Sequence, residues 1–169
     1  MRTSASLVLG VVVLAVVGVM VPVLSGQAGG MIDKSYAGTW KANMAKSKYE
    51  PGPGPKESTR IHEDRGNGFW LITTDSVGPQ GQKTHGAYVY KPDGKPYPVA
   101  GLNQTTVNTI SLTFVDPYTV NFTQYADGKA LGTGKRTVSK DGKTMIIETK
   151  GTNPQGQPVS SNVVWEKQP

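Results

Sequence analysis

From Lys56 onward the chain repeats one arrangement: an alternation of apolar and polar residues, a turn, and another alternation. Ile110, Leu112 and Phe114 fall on one face, with Ser111 and Thr113 on the other. Val120 and Phe122 alternate with Thr119, Asn121 and Thr123. Val159, Val163 and Trp165 share a face opposite Ser160, Asn162 and Glu166. Period two puts one face of a strand on a core and the other in water. The breaks are Gly66-Asn67-Gly68, Gly81, Asp93-Gly94, Asp127-Gly128, Asp141-Gly142 and Gly156. Asn-Gly and Asp-Gly supply the positive φ that tight hairpins need. Their spacing, roughly ten to fifteen residues, is that of an antiparallel meander. No window after Pro55 carries a helical period. Phe69-Trp70-Leu71-Ile72 is apolar on both faces, so one face must meet a lid, a partner or a ligand.

Upstream, Gly38 to Asn43 reads as a first strand after a lead-in over residues 29–36. Met44 to Tyr49 has room for a helical turn. Pro51-Gly52-Pro53-Gly54-Pro55 cannot donate to a ladder at its prolines. It reads as an extended connector over the surface or across one end. The count comes to about ten strands. Open edges invite aggregation, so the strands must close or stack. The regular hairpin order favours an all-β, antiparallel up-and-down barrel over a sandwich. Gly78-Pro79-Gln80-Gly81-Gln82 and Asn153-Pro154-Gln155-Gly156-Gln157 echo one another. Shared turn chemistry explains that echo as well as duplication does.

The first residues differ in kind. Met1-Arg2 is a positive start, Leu7 to Leu24 an apolar run, and Ser25, Gly26, Ala28, Gly29 and Gly30 a small-residue exit. Charge, apolar stretch and small residues make a signal-peptide pattern over residues 1–28, with cleavage after Ala28. An uncleaved anchor is the competing reading; Pro22 fits a cleavage region better. Either way the domain of residues 37–169 is expected outside the cytoplasm, periplasmic or secreted.

Composition adds exclusions. With no cysteine among 169 residues, disulfides, thiol chemistry and thiolate metal sites are out. The chain carries 18 basic and 12 acidic residues, a net +6. Losing Arg2 would leave +5. Lys91, Lys95, Lys129, Lys140 and Lys143 sit in or beside turns, as solvated charges do. They are not clustered among aromatics as nucleic-acid binding requires. Membrane association is expected only through an uncleaved leader.

Two places carry a family resemblance. Gly38-Thr39-Trp40 opens the first strand, and Val163-Val164-Trp165-Glu166-Lys167 closes the last. Both resemble the calycin superfamily of lipocalins, fatty-acid-binding proteins and avidins. The fuller set adds Lys46-Ser47-Lys48-Tyr49, Ser139-Lys140-Asp141-Gly142-Lys143-Thr144 and Lys150-Gly151-Thr152-Asn153. It is similar to a family of uncharacterised secreted bacterial lipocalin-like proteins. The resemblance implies a small barrel with room for an apolar cavity, no enzyme activity and no cofactor. It gives Trp40 the role of a plug in the closed end. One departure stands out. Fatty-acid-binding proteins hold the ligand carboxylate with an Arg-x-Tyr pair on the last strand, where this chain has Val163 and Trp165. Arg60 and Arg136 are the only strand arginines that could substitute, and exposed positions are expected for both.

Candidate chemistry is sparse. His62 shares a face with Asp64, which reads as a surface histidine beside a carboxylate; His85 has no better case. A metal site would need further ligands from other strands. Gly132-Thr133-Gly134-Lys135-Arg136-Thr137 superficially resembles a phosphate loop, but Arg136 stands where Ser or Thr must follow the lysine. Its glycines are expected to allow a bend or close strand packing. Asn103-Gln104-Thr105 and Asn121-Phe122-Thr123 match an acceptor pattern for glycosylation. Rings are the more useful class: Tyr97, Tyr118 and Tyr125, and above all Trp70, Tyr88, Tyr90, Phe114, Phe122 and Trp165 as candidate cavity lining. Such rings also fill small barrels as ordinary core. The expected function is binding of a small apolar or amphipathic ligand. A ligand-free structural or protein-interaction module is the alternative, and cavity volume separates the two.

Overall fold

A computed structural model describes residues 32–102, 107–153 and 155–169. The leader pattern and the Asn103 acceptor motif lie outside the described residues. Twelve strands follow in order. They are β1 (Gly38–Ala42), β2 (Lys48–Glu50), β3 (Glu57–Gly66), β4 (Phe69–Val77), β5 (Lys83–Tyr90) and β6 (Asp93–Pro98). Then come β7 (Ala100–Leu102), β8 (Thr109–Asp116), β9 (Thr119–Ala126), β10 (Lys129–Val138), β11 (Thr144–Thr152) and β12 (Pro158–Lys167). All pairings are antiparallel, and the path runs β6-β8-β9-β10-β11-β12-β1-β3-β4-β5-β7, a nearly closed barrel. The first strand joins the last: Trp40 lies opposite Lys167 on one side and Arg60 on the other. Asp127 and Gly128, both at positive φ (48° and 78°), make the β9–β10 hairpin that the sequence announces.

The prolines of β6 explain the seam. The Val99 N–H donates to the Asn108 carbonyl at 3.0 Å, on the β8 side. Backbone direction alternates along a strand, so the ring nitrogens of Pro98 and Pro96 face β5, where they have no N–H to give. The ladder of β6 therefore runs to β8. Beyond Val99 the same stretch bends, and β7 pairs with β5. Read as one bent stave, β6 and β7 close the ring and leave a proline-blunted seam between β5 and β6.

Ahead of the prolines, Met44–Lys46 forms a single 3-10 turn. The expected helical turn stops there, because Lys48–Glu50 pairs with β12 instead. Gly132 and Gly151 face each other at a β-bulge in β10, where a Cβ on Gly132 would stand 2.8 Å from the Lys150 carbonyl. A Cβ on Gly134 would collide with the Phe122 ring, so this glycine lets Phe122 lie flat on the inner wall.

One end of the barrel is shut by its own lead-in. Asp33 caps the turn Lys34–Tyr36, its carboxylate accepting from the Ser35 N–H at 2.7 Å. Tyr36 is fully buried, and its hydroxyl stands 2.8 Å from the Tyr118 carbonyl and 2.9 Å from that of Arg136. Trp40, also fully buried, donates from Nε1 to the Tyr36 carbonyl at 3.0 Å. Lys167 Nζ reaches the Ser35 carbonyl at 2.9 Å and lies over the Trp40 ring. Ile32, Trp70, Val138 and Met145 belong to the same buried cluster. On Phe69 to Ile72, Trp70 and Ile72 are buried inside, and on the outer side Lys91 covers the Phe69 ring at 4.3 Å.

Candidate ligand-binding cavity

Above the plug the barrel is hollow. A cavity of about 410 Å³ lies between β3–β5 and β8–β11. A second hollow of about 410 Å³ opens beneath Pro51, Pro53 and Pro55, the β4–β5 turn and the start of β12. Ser76, Thr84 and Thr149 line both, so the second is the mouth of the first. The proline connector thus spans the open end.

Two arginines define the inner half of the cavity. Arg136 sits opposite Val120 on one neighbour and Ile147 on the other, both buried, so its register turns it inward. It is 1% exposed. Its Nη2 donates to the Tyr88 hydroxyl at 2.8 Å, its Nη1 reaches the Tyr90 hydroxyl at 3.5 Å, and its Nε has no partner. Arg60 enters from β3, donating from Nε to Thr74 Oγ1 at 2.9 Å and stacking on the Trp165 ring at 5.2 Å. The expectation of exposed arginines is therefore corrected at both positions. Among the described residues no carboxylate lines the cavity. Phenols rather than carboxylates stand nearest to Arg136, whose partners are the hydroxyls of Tyr88 and Tyr90.

The electrostatics follow from this crowding. Burial pulls the Arg60 guanidinium down to about 10, still a cation at neutral pH. Burial would raise the Tyr88 phenol, but the charge of Arg136, then that of Arg60, and the Arg136 hydrogen bond outweigh it and bring it below its ordinary value. Tyr90, with less help, is pushed by burial up to about 12.

His62 is corrected as well. It is 1% exposed, stacked on Tyr36 with centroids 6.0 Å apart, and neither ring nitrogen has a partner. Burial, followed by the charges of Arg136, Arg60 and Lys167, holds it well below the ordinary imidazole value. Asp64 is exposed at the strand end. The exposed pair is a different one: His85 Nδ1 lies 2.7 Å from Asp75 Oδ1. Among the described residues no three metal-ligating side chains converge.

Of the rings proposed as lining, Tyr88 and Phe122 reach the cavity wall. Trp70, Tyr90 and Trp165 are buried in the core, with Tyr90 touching the site through Arg136. Phe114 is partly buried on β8, closer to the shut end. The sequence marks Arg60 and Arg136 as the strand arginines that could substitute but places them at exposed positions, and it gives no sign of the hydroxyls of Thr74, Ser76, Thr84 and Thr149. The register parity of Arg136 with Val138 was the available signal.

No protein-family model and no curated protein matches the chain. Solved structures do. A variant of the fluorescent protein UnaG aligns with 80% of this chain and 98% of its own, at 12% identity and a TM-score of 0.54. As-p18, an extracellular fatty acid binding protein, aligns with 82% of this chain and 99% of its own, at 14% identity and a TM-score of 0.52. Identities this low speak to fold alone. The barrel implied by the Gly38-Thr39-Trp40 opening and the closing strand is the one observed: the chain has the calycin fold.

Proposed function

We propose that this barrel binds a small amphipathic anion, its charge held by Arg60 and Arg136 and its apolar part lying in the cavity above them. One observation carries the reading: the buried guanidinium of Arg136 and the partly buried one of Arg60 share a cavity of about 410 Å³ with no carboxylate among the described side chains on its wall. A buried charge without a counter-charge is costly, and a bound anion would offset that cost at Arg136. The volume falls in the range of ordinary ligand sites. As-p18, which shares the fold, is named for binding fatty acid. This favours a carrier over a filled interaction module, and a binder over a catalyst. We place the domain outside the cytoplasm, on the leader pattern of residues 1–28.

Native mass spectrometry of the protein taken from its host tests both points. The expected result is a chain beginning at Gly29 that carries an anionic adduct lost on denaturation. Arg136→Met should weaken binding of that adduct, or of a fatty acid offered in its place, about tenfold to a hundredfold. That is the effect of one charge-assisted hydrogen bond of ~1.5–3 kcal/mol. Unchanged affinity in Arg136→Met and Arg60→Met alike would sink the proposal.

A further inference from the structure

The cavity has two unlike walls. Arg60, Thr74, Ser76, Thr84 and Tyr88 come from β3, β4 and β5, and each ends in a hydrogen-bonding group. Val99, Val107, Ile110, Phe122 and Ile147 face them from the seam and from β8, β9 and β11 and are apolar, with Arg136 of β10 standing among them at the inner end. Near the mouth the apolar wall ends in Gln124 and Thr149. Some of the hydroxyls are occupied: Thr74 accepts from Arg60, and Ser76 is bonded to Ser58 at 2.6 Å. Among the described residues no side-chain hydrogen bond reaches Thr84, Gln124 or Thr149.

A plain alkyl chain fits one of these walls and offends the other. Its methylenes would strip water from the hydroxyls of Thr84 and Thr149 and return no hydrogen bond, a cost that a purely apolar cavity avoids. A molecule with hydroxyls along one side and hydrocarbon along the other satisfies both walls at once. A site built to bond a hydroxyl discriminates against the analogue lacking it far better than an apolar pocket discriminates between methylenes.

We infer that the ligand is a facially amphipathic anion: an acidic group at the arginines, hydroxyls toward β3–β5 and the mouth, and hydrocarbon toward β8–β11. This is a hydroxylated ring system or polyhydroxylated acyl chain, not a simple fatty acid. The inference rests on the proposed role of Arg60 and Arg136 in holding the charge.

Matched pairs of probes test it by calorimetry on the purified full chain. One pair is cholate and 5β-cholanate, which share a carboxylated ring skeleton and differ in hydroxyls. The other is 9,10,16-trihydroxypalmitate and palmitate. The hydroxylated member of at least one pair should bind about tenfold to a hundredfold tighter than its partner, the effect of two or three hydrogen bonds. The double variant Thr84→Val, Thr149→Val should bring that pair to within about threefold, chiefly by weakening the hydroxylated member. Its fold is checked by circular dichroism, and Gln124→Met serves as a second, independent reduction of the preference. If the plain members bind as well as their partners and still lose affinity in Arg136→Met, the hydroxyl inference falls and the anion reading stands. If none of the four binds, both fall.

Discussion

The two halves of this barrel are built from the same strands and treat polar groups in opposite ways. At the shut end the lead-in turn brings Tyr36, Trp40 and Lys167 together, and each finds a carbonyl to bond. Toward the other end, Arg60 of β3 and Arg136 of β10 point inward with no carboxylate among the described side chains around the cavity, and Thr84 and Thr149 line its wall. A strand of eight to ten residues is long enough to do both jobs. The filled end supplies the stability, which frees the hollow end to hold charges that cost stability. Such a division is the usual relation between a fold and the site it carries.

The sharpest way to break the comparison is at the plug. Trp40→Ala removes the largest fully buried side chain and the bond to the Tyr36 carbonyl. It should cost ~3–5 kcal/mol by urea denaturation, within the range for a buried aromatic cut to alanine. A loss below about 1 kcal/mol would mean the lead-in does not hold this end shut. At the hollow end the sign should reverse. Arg136→Met keeps length and removes a buried, partly unpartnered charge, so the ligand-free protein should gain about 1 kcal/mol while its anion affinity falls. A structural arginine would show the opposite, destabilising the barrel on removal. Thermal unfolding of the ligand-free variant distinguishes them directly.

The same contrast explains what could be read from the sequence. The strands β8, β9 and β12 announce themselves because their inner faces are apolar: Ile110 and Leu112, Val120 and Phe122, Val163 and Trp165 are all buried as the alternation requires. So do the β3–β4 and β9–β10 hairpins, through Asn67-Gly68 and Asp127-Gly128, whereas Asp93-Gly94 opens β6, which pairs with β8 and not with β5. The strand β3 does not. Its inner face is Ser58, Arg60 and His62, and its outer face holds Ile61, which is 37% exposed. A hydropathy reading turns this strand inside out, since alternation is assigned by polarity and here the polar face is the buried one. That is why both Arg60 and His62 read as surface residues. The vacant Arg-x-Tyr position on the last strand was legible, but the compensating charges arrive from β3 and β10, and only the register of the closed sheet brings them together. The two-walled lining is likewise a property of closure: no single strand displays it.

His62 lies where the two halves meet, and it offers the mildest test. Its ring stacks on Tyr36 of the plug, while Arg136, Arg60 and Lys167 all disfavour its protonation after burial has done so first. In the unfolded chain the imidazole takes its proton near ~6.5. The folded protein resists that proton, so below this pH the unfolded state binds more protons and is favoured. The contribution of His62 is therefore whole above about pH 6.5. It is lost progressively as pH falls from there toward the depressed folded value, at up to ~1.4 kcal/mol per pH unit. The carboxyls of Asp33, Asp141 and Glu166, each held below its ordinary value by hydrogen bonds, act in the same direction but only in the more acid range. Between pH 6.5 and 5 the difference between the wild type and a variant lacking this ring isolates its share. His62→Phe keeps a stacking partner for Tyr36 and removes the titration. Urea midpoints for the two proteins should run together above pH 7 and diverge below 6.5, with the wild type falling more steeply than the variant. Parallel curves would mean that His62 finds water or another partner in solution, and that the shut end is wetter than its packing implies.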